Sequence, residues 1–210
     1  MKQQLKKYIE KLLPGDYLLP AVVCLLYDTA IYSGTQLLTE HWHHWDLTGR
    51  LERQIPVILE FTLIYLLFFP FWIGNFLLIG HLGKEKARRF IRADLIAWTV
   101  CGVCFLLFPT ANVRPAGLEE GIWTELLELV YRMDPPTNLF PSIHCLASWL
   151  CFVVLRREES LPVWYRAGCG VMAVLICIST VAVRQHVLAD VAAGILLAEG
   201  AWALAGRRRK

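Results

Sequence analysis

Long apolar runs broken by short polar stretches set the pattern of this chain. A helix needs about 20 mostly apolar residues, at 1.5 Å rise each, to cross a hydrocarbon core of roughly 30 Å. Six segments meet or approach that length: 17–38, 55–79, 93–109, 142–155, 163–183 and 187–205. The third and fourth are short, so each is expected to borrow residues from its flanks. Between them lies the longest loop, 109–141. Within it GLEEGIWTELLELVYRM carries Leu118, Ile122, Leu126, Leu129 and Val130 at near-helical spacing, with Glu119, Glu120, Glu125 and Glu128 largely elsewhere. That spacing predicts an amphipathic helix at the membrane surface. The N-terminal KQQLKKYIEKLL reads as a short basic amphipathic stretch ahead of a turn at Pro14-Gly15. The expectation is an all-α, polytopic bundle of six transmembrane helices, one integral membrane domain over residues 1–210.

Composition agrees. The chain is 56% hydrophobic and 19% charged, with a mean hydropathy of +0.46, far more apolar than a soluble domain of 210 residues. Charge then orients the spans, because short cytoplasmic loops are rich in Lys and Arg. With the N-terminus inside, the inner segments hold 16 of the 21 Lys and Arg, from Lys2 to Lys11, Lys84 to Arg92, Arg156 to Arg166 and Arg207 to Lys210. The outer segments hold Arg50, Arg53, Arg114, Arg132 and Arg184. Both termini are therefore expected in the cytoplasm, and the pI of 8.5 reflects topology rather than nucleic-acid binding. The first span shows no clear small-x-small cleavage site and reads as a retained anchor. All seven Cys fall within predicted spans, where they are expected to act as small apolar residues with no disulfide framework, Cys101-x-x-Cys104 included. His41, His43 and His44 suggest a metal site, but Trp42 and Trp45 beside them favour an interfacial aromatic belt.

Ionisable groups in apolar spans are costly and mark function or inter-helix bonding. For Asp28, Glu60 and Glu199 a packing hydrogen bond is expected, and Glu199 should lie roughly 20 Å deeper than His186, away from any chemistry. The pairs Ala189/Ala193 and Gly194/Ala198 favour close helix packing. His186 and Asp190 differ: at i, i+4 they share one helical face, where a carboxylate can fix an imidazole's tautomer and orientation. The predicted topology delivers Arg114-Pro115, Pro141-Ser142-Ile143-His144 and Arg184-Gln185-His186 to the outer membrane level. Two guanidiniums, Arg114 and Arg184, suit phosphate oxygens. One His can attack phosphorus while the other protonates the leaving oxygen. Ser142 adds a hydroxyl or backbone contact where a helix dipole favours anions. No clustered acids for magnesium accompany the set, so a route without metal or other cofactor is implied.

At these residues the chain resembles the type 2 phosphatidic acid phosphatase superfamily, a six-helix membrane family with the motifs KxxxxxxRP, PSxH and SRxxxxxHxxxD. The likeness runs over about residues 107–190. It implies that His186 is a nucleophile forming a phosphohistidine, Asp190 its partner and His144 the general acid. The family's Lys is Leu107 here and its third-motif Arg is Thr180, although Ser179 fits. FPSxH and QHxxxD look more like the branch containing inositol phosphorylceramide synthase and are similar to sphingomyelin synthase. The resemblance implies a hydrolase of a lipid phosphate or isoprenyl diphosphate, facing outward in a bacterial-type plasma membrane. The alternatives are a phosphotransferase to a lipid alcohol and a non-catalytic transporter or scaffold.

Overall fold

A computed structural model describes residues 15–206; the basic stretch before Pro14 and the last four residues lie outside them. The helices are α1 (Gly15–Thr39), α2 (Arg50–Gln54), α3 (Phe61–Leu66), α4 (Phe68–His81), α5 (Lys84–Leu107), α6 (Ile122–Met133), α7 (Ile143–Leu155), α8 (Val163–Ala182) and α9 (Leu188–Ala205). Five stretches are long and apolar enough to cross a membrane: Tyr17–Thr39, Phe61–His81, Lys84–Leu107, Val163–Ala182 and Leu188–Ala205. A two-residue parallel pairing of β1 (Trp45–Asp46) with β2 (Thr110–Ala111) ties the ends of α1 and α5 together.

Two boundaries depart from the hydropathy pattern, each for a physical reason. The second apolar segment does not become helical at 55. Pro56 pushes Ile55 to an extended conformation (φ −70°, ψ 123°), the Ile58 N–H donates to the Ala182 carbonyl at 3.1 Å, and the helix starts at Phe61. Glu60, expected inside a span, sits exposed just before α3. The third segment does borrow from its flank. Ala87, Phe90, Ile91, Ala97 and Cys101 continue one buried face of α5 back into its first turn, while Arg88 and Arg92 lie exposed on the other side.

The fourth segment borrows nothing and stays a 13-residue helix, about 20 Å long. It is the centre of the bundle. α7 packs on α4, α5, α8 and α9, and nine of its 13 residues are buried. Walled by protein, it need not reach the membrane interfaces, and its N-terminal N–H groups are met internally. Ser142 Oγ accepts from the Cys145 N–H at 3.4 Å, and the Ser142 N–H donates to the Asp190 carbonyl at 3.1 Å. The crossing of α7 and α9 is tight at Gly194, where a Cβ would lie 2.6 Å from the Ser142 carbonyl oxygen. That is the close approach small residues permit.

The bundle has two chemically different ends. At one end α4 turns into α5, α7 into α8, and α9 finishes. There Arg156 makes a bidentate pair with Glu199 at 2.7 and 2.8 Å, Trp149 Nε1 donates to Glu199 at 3.2 Å, Lys86 pairs with Glu158, and the Arg89 guanidinium covers Trp202 at 3.8 Å. Glu199 is thus an inter-helix bonding residue. Asp28 is buried beside Cys24 and Asp94 at the α1–α5 contact, and Cys24 Sγ donates to Asp94 Oδ2 at 2.9 Å. Cys24 is therefore a hydrogen-bonding residue as well as a small apolar one. All seven cysteines are free. The other end gathers the ends of α1, α5 and α8, the starts of α3, α7 and α9, and helix α6.

Candidate active site

The loop that leads into α7 is held at several points. Thr110 Oγ1 accepts from the N–H groups of Leu139 and Phe140 at 3.1 and 3.0 Å. Asn138, left-handed at φ 55°, donates from Nδ2 to the Tyr32 carbonyl and Thr35 Oγ1. These bonds fix where Ser142 and His144 begin the central helix. The α8–α9 connection is fixed as firmly. Arg184 adopts a left-handed conformation (φ 56°), an uncommon and costly state for a side-chain-bearing residue. Beyond that bend the N–H groups of Gln185 and His186 both donate to the Thr180 carbonyl, at 2.9 and 3.0 Å. Asn112 Nδ2 donates to the Arg184 and Gln185 carbonyls from the strand side.

The two bends place His144 and His186 side by side, with ring centroids 5.9 Å apart and both residues only 5% exposed. His186 Nδ1 lies 3.3 Å from Asp190 Oδ2, which also accepts the Val187 N–H at 3.0 Å. Burial alone depresses the His186 imidazole; the hydrogen bond and charge of Asp190 outweigh it and hold the ring above its ordinary value. Held through Nδ1, the ring leaves Nε2 as its free lone pair. Aromatic rings crowd His144: Tyr65 at 4.6 Å, Phe68 at 4.5 Å and Phe69 at 6.3 Å between centroids.

Of the two arginines, one joins this cluster and one turns away. Arg114 Nη2 donates to Gln185 Oε1 at 2.9 Å, and its guanidinium is anchored by the carbonyls of Tyr131 and Asp134 while lying over the Tyr131 ring at 4.2 Å. Burial lowers the Arg114 guanidinium against the opposing pull of Asp134, and burial pushes the Tyr131 phenol up to about 12. Arg184 instead spends Nη2 on the Ile55 carbonyl at 2.5 Å and shares with Arg53 and Arg114 a surface cleft of about 470 Å³. Ser142 Oγ faces the Cys145 N–H as a helix cap. Leu107 is 80% exposed, so its side chain does not stand in for a cation at the histidines. Thr180 is fully buried, its hydroxyl donating to the Cys177 carbonyl.

Several residues here had no sequence-level signal strong enough to single them out. Asp134 accepts hydrogen bonds from Tyr32 at 2.6 Å and Tyr65 at 2.9 Å, linking α1 and α3 behind His144. Its hint was an acid just before Pro135-Pro136. Gln185 lies between Arg184 and His186, where no local pattern signals its bond to Arg114. Glu52 Oε1 accepts the Leu188 N–H at the start of α9. Polar atoms buried without a partner in this region include His144 Nδ1, Asp190 Oδ1, Gln185 Nε2, Arg114 Nε, Asn112 Oδ1 and Asn138 Oδ1. At His41 to Trp45 the histidines meet aromatic and backbone groups, with the His43 ring 4.8 Å from Trp45 and His44 Nδ1 2.9 Å from the Trp42 carbonyl. Among the described residues, the groups able to hold a metal ion together are Cys24, Asp28 and Asp94, on α1 and α5.

Fold and site together define a membrane protein of apolar helices whose two distant histidine motifs close into one buried constellation at one end of the bundle. The sequence model of the PAP2 superfamily, the type 2 phosphatidic acid phosphatases, matches residues 29–204, and the chain belongs to that superfamily. It is thus a membrane protein of the phosphatase type. Comparison with curated proteins and with solved structures finds no match.

Proposed function

We propose that the protein is a lipid phosphatase that cleaves a phosphomonoester or diphosphate through a phosphohistidine on His186. The observation that carries this reading is the meeting of His144, His186 and Asp190, with Arg114 linked to them through Gln185. His186 Nε2 attacks phosphorus and Asp190 stabilises the imidazolium that develops. His144 protonates the departing lipid oxygen, then takes a proton from the water that releases phosphate from His186. Arg114 and the Gln185 amide offset charge on the phosphoryl oxygens. Ser142 positions the start of α7, and Arg184 adds positive charge at the mouth. Imidazole, guanidinium and amide groups face the phosphate, rather than paired carboxylates, so activity without added metal is expected.

In the same reading α7 counts as the sixth membrane helix, both termini are cytoplasmic, and the site faces outward across a plasma membrane with α6 at the interface. The clustering of Lys84 to Arg92 and Arg156 to Arg166 at the end opposite the histidines supports that orientation. Cysteines introduced at Glu120 and Glu85 on a Cys-free background test it. An impermeant reagent should label Glu120→Cys in intact cells and Glu85→Cys only after permeabilisation.

The positions of Leu107 and Thr180 favour one second reading. With two of the family's cations absent, the enzyme passes the phosphorylated headgroup to a lipid alcohol instead of water. Phosphate release from a panel of lipid phosphates, compared with formation of a new phospholipid when a lipid alcohol is added, separates the two. Equal activity in wild type and His186→Ala would sink both.

A further inference from the structure

Asp28 and Asp94 are buried acids that the proposed chemistry leaves unused, and Asp28 is the one with an open oxygen. It is 6% exposed in an apolar bundle, and its Oδ1 has no hydrogen-bond partner. Its carboxyl shares a hydrogen bond with the neighbouring Asp94, which the Cys24 thiol also serves, so Oδ1 is the atom left open. An acceptor left unmet in such surroundings costs free energy that a ligand donor would recover. Asp28 also lines a groove of about 220 Å³ between α1, α4, α5 and α7. One wall is polar, built from Asp28, Tyr32 and Ser33 on a single face of α1; the other is aromatic, built from Phe68, Trp72 and Trp98.

The groove adjoins the histidine site. Phe68 touches both, its ring lying 4.5 Å from His144, and Ile143 in the groove wall immediately precedes His144. Tyr32, one helical turn or about 6 Å from Asp28, lines the groove and donates to Asp134, which also holds Tyr65 against His144. A lipid whose phosphate sits at His186 therefore has a mostly apolar groove beside it for its next atoms, with Asp28, Tyr32 and Ser33 as its polar points. A polyisoprenoid offers nothing to the polar wall. A diacylglycerol offers only acceptors.

We infer that this groove holds the lipid part of the substrate, and that Asp28 accepts a hydrogen bond from a hydroxyl or amide N–H near its phosphate-bearing end, selecting donor-bearing lipids. The inference rests on the proposed function for the position of the phosphate. It is tested by binding, on the full chain carrying His186→Ala in detergent, with N-acylsphingosine 1-phosphate and dioleoyl phosphatidate as probes. Both have two chains and a terminal phosphate, and only the first carries donors.

The first should bind roughly fivefold more tightly, the worth of one hydrogen bond of about 1 kcal/mol. Adding Asp28→Leu should bring the two to within about twofold. Ser33→Phe, at an exposed position of the same wall, should weaken both by roughly tenfold and leaves the buried acid in place should Asp28→Leu fail to fold. Equal affinities in the parent, a ratio that survives Asp28→Leu, or full binding in Ser33→Phe each overturns the inference. Because the nucleophile is absent from this assay, a wild type that releases no phosphate would overturn the proposed function and leave these ratios standing.

Discussion

The two ends of α9 carry one buried or half-buried acid each, and the acids are treated in opposite ways. Glu199 is saturated, its two oxygens taken by both Arg156 Nη atoms and by Trp149. Asp190 keeps Oδ1 unpartnered, and at the same end of the bundle so do His144 Nδ1 and Gln185 Nε2. Buried polar groups in folded proteins are overwhelmingly satisfied, so a cluster of open ones needs a reason. A pair that serves packing completes itself within the chain. A site keeps donors and acceptors in reserve for a ligand, and the difference lies in the bonds left unmade rather than in the residue types.

That contrast is tested most severely by removing the nucleophile. His186→Ala should lower phosphate release by a factor on the order of 10⁶, the scale at which loss of a nucleophile acts, while the melting temperature stays close to wild type. A loss of fold with the loss of activity would mean that the histidine end is as structural as the other. Asp190→Asn comes next, at about 10⁴-fold, because it removes the charge that holds the imidazole tautomer. Its residual activity also carries a pH signature. In wild type the neutral imidazole attacks, so activity falls as pH drops through the raised His186 value. Without the Asp190 charge, burial is no longer outweighed and the imidazolium is disfavoured, so the acidic limb should move to lower pH. An unmoved limb would detach Asp190 from His186.

How much of this was legible follows the reach of each signal. The apolar runs marked the helices because burial in lipid or protein demands them over a whole segment, and the ordered trio of motifs marked His144, His186 and Asp190. The short α7 misled because hydropathy cannot distinguish a lipid wall from a protein wall; only the packing of α4, α5, α8 and α9 around it explains 13 residues. Pro56 did carry the signal that would have moved Glu60 out of a span. Asp134 and Tyr65 were invisible for a different reason. Their value lies in meeting across 69 positions of sequence, which no local pattern encodes. In the sequence Arg184 shows its charge, whereas its left-handed backbone and its bond to the Ile55 carbonyl give it a part in shaping the turn.

A smaller effect should come from the contact that holds the site's two helices together. At Gly194 an added Cβ meets the Ser142 carbonyl at 2.6 Å and the Leu146 nitrogen at 3.1 Å, both backbone atoms that cannot swing aside. Gly194→Ala should therefore push the start of α7 away from α9 and misalign His144 against His186. Displacements near 1 Å cost about 10²-fold in rate, and overpacking costs about 1–3 kcal/mol in stability. Both losses should appear together. Full activity in Gly194→Ala would show that the spacing of the two histidines is not set at this crossing.

The smallest effect on chemistry should come from the opposite end, and it completes the test. Glu199→Leu leaves Arg156 without its carboxylate and Trp149 without an acceptor. The side chains of the Arg156–Glu199 pair are 33% and 36% exposed, so screening reduces its worth to about 1 kcal/mol. For a chain of this size that corresponds to a fall in melting temperature of about 2–4 °C. Activity per folded molecule should stay within about twofold of wild type, because Glu199 lies nine residues along α9 from Asp190, roughly 13 Å. Thermal melts in parallel with phosphate release, normalised to folded protein, read both quantities on one preparation. A Glu199→Leu protein that melts normally but has lost its activity would reverse the assignment of the two ends, with the saturated pair serving chemistry and the open one serving the fold.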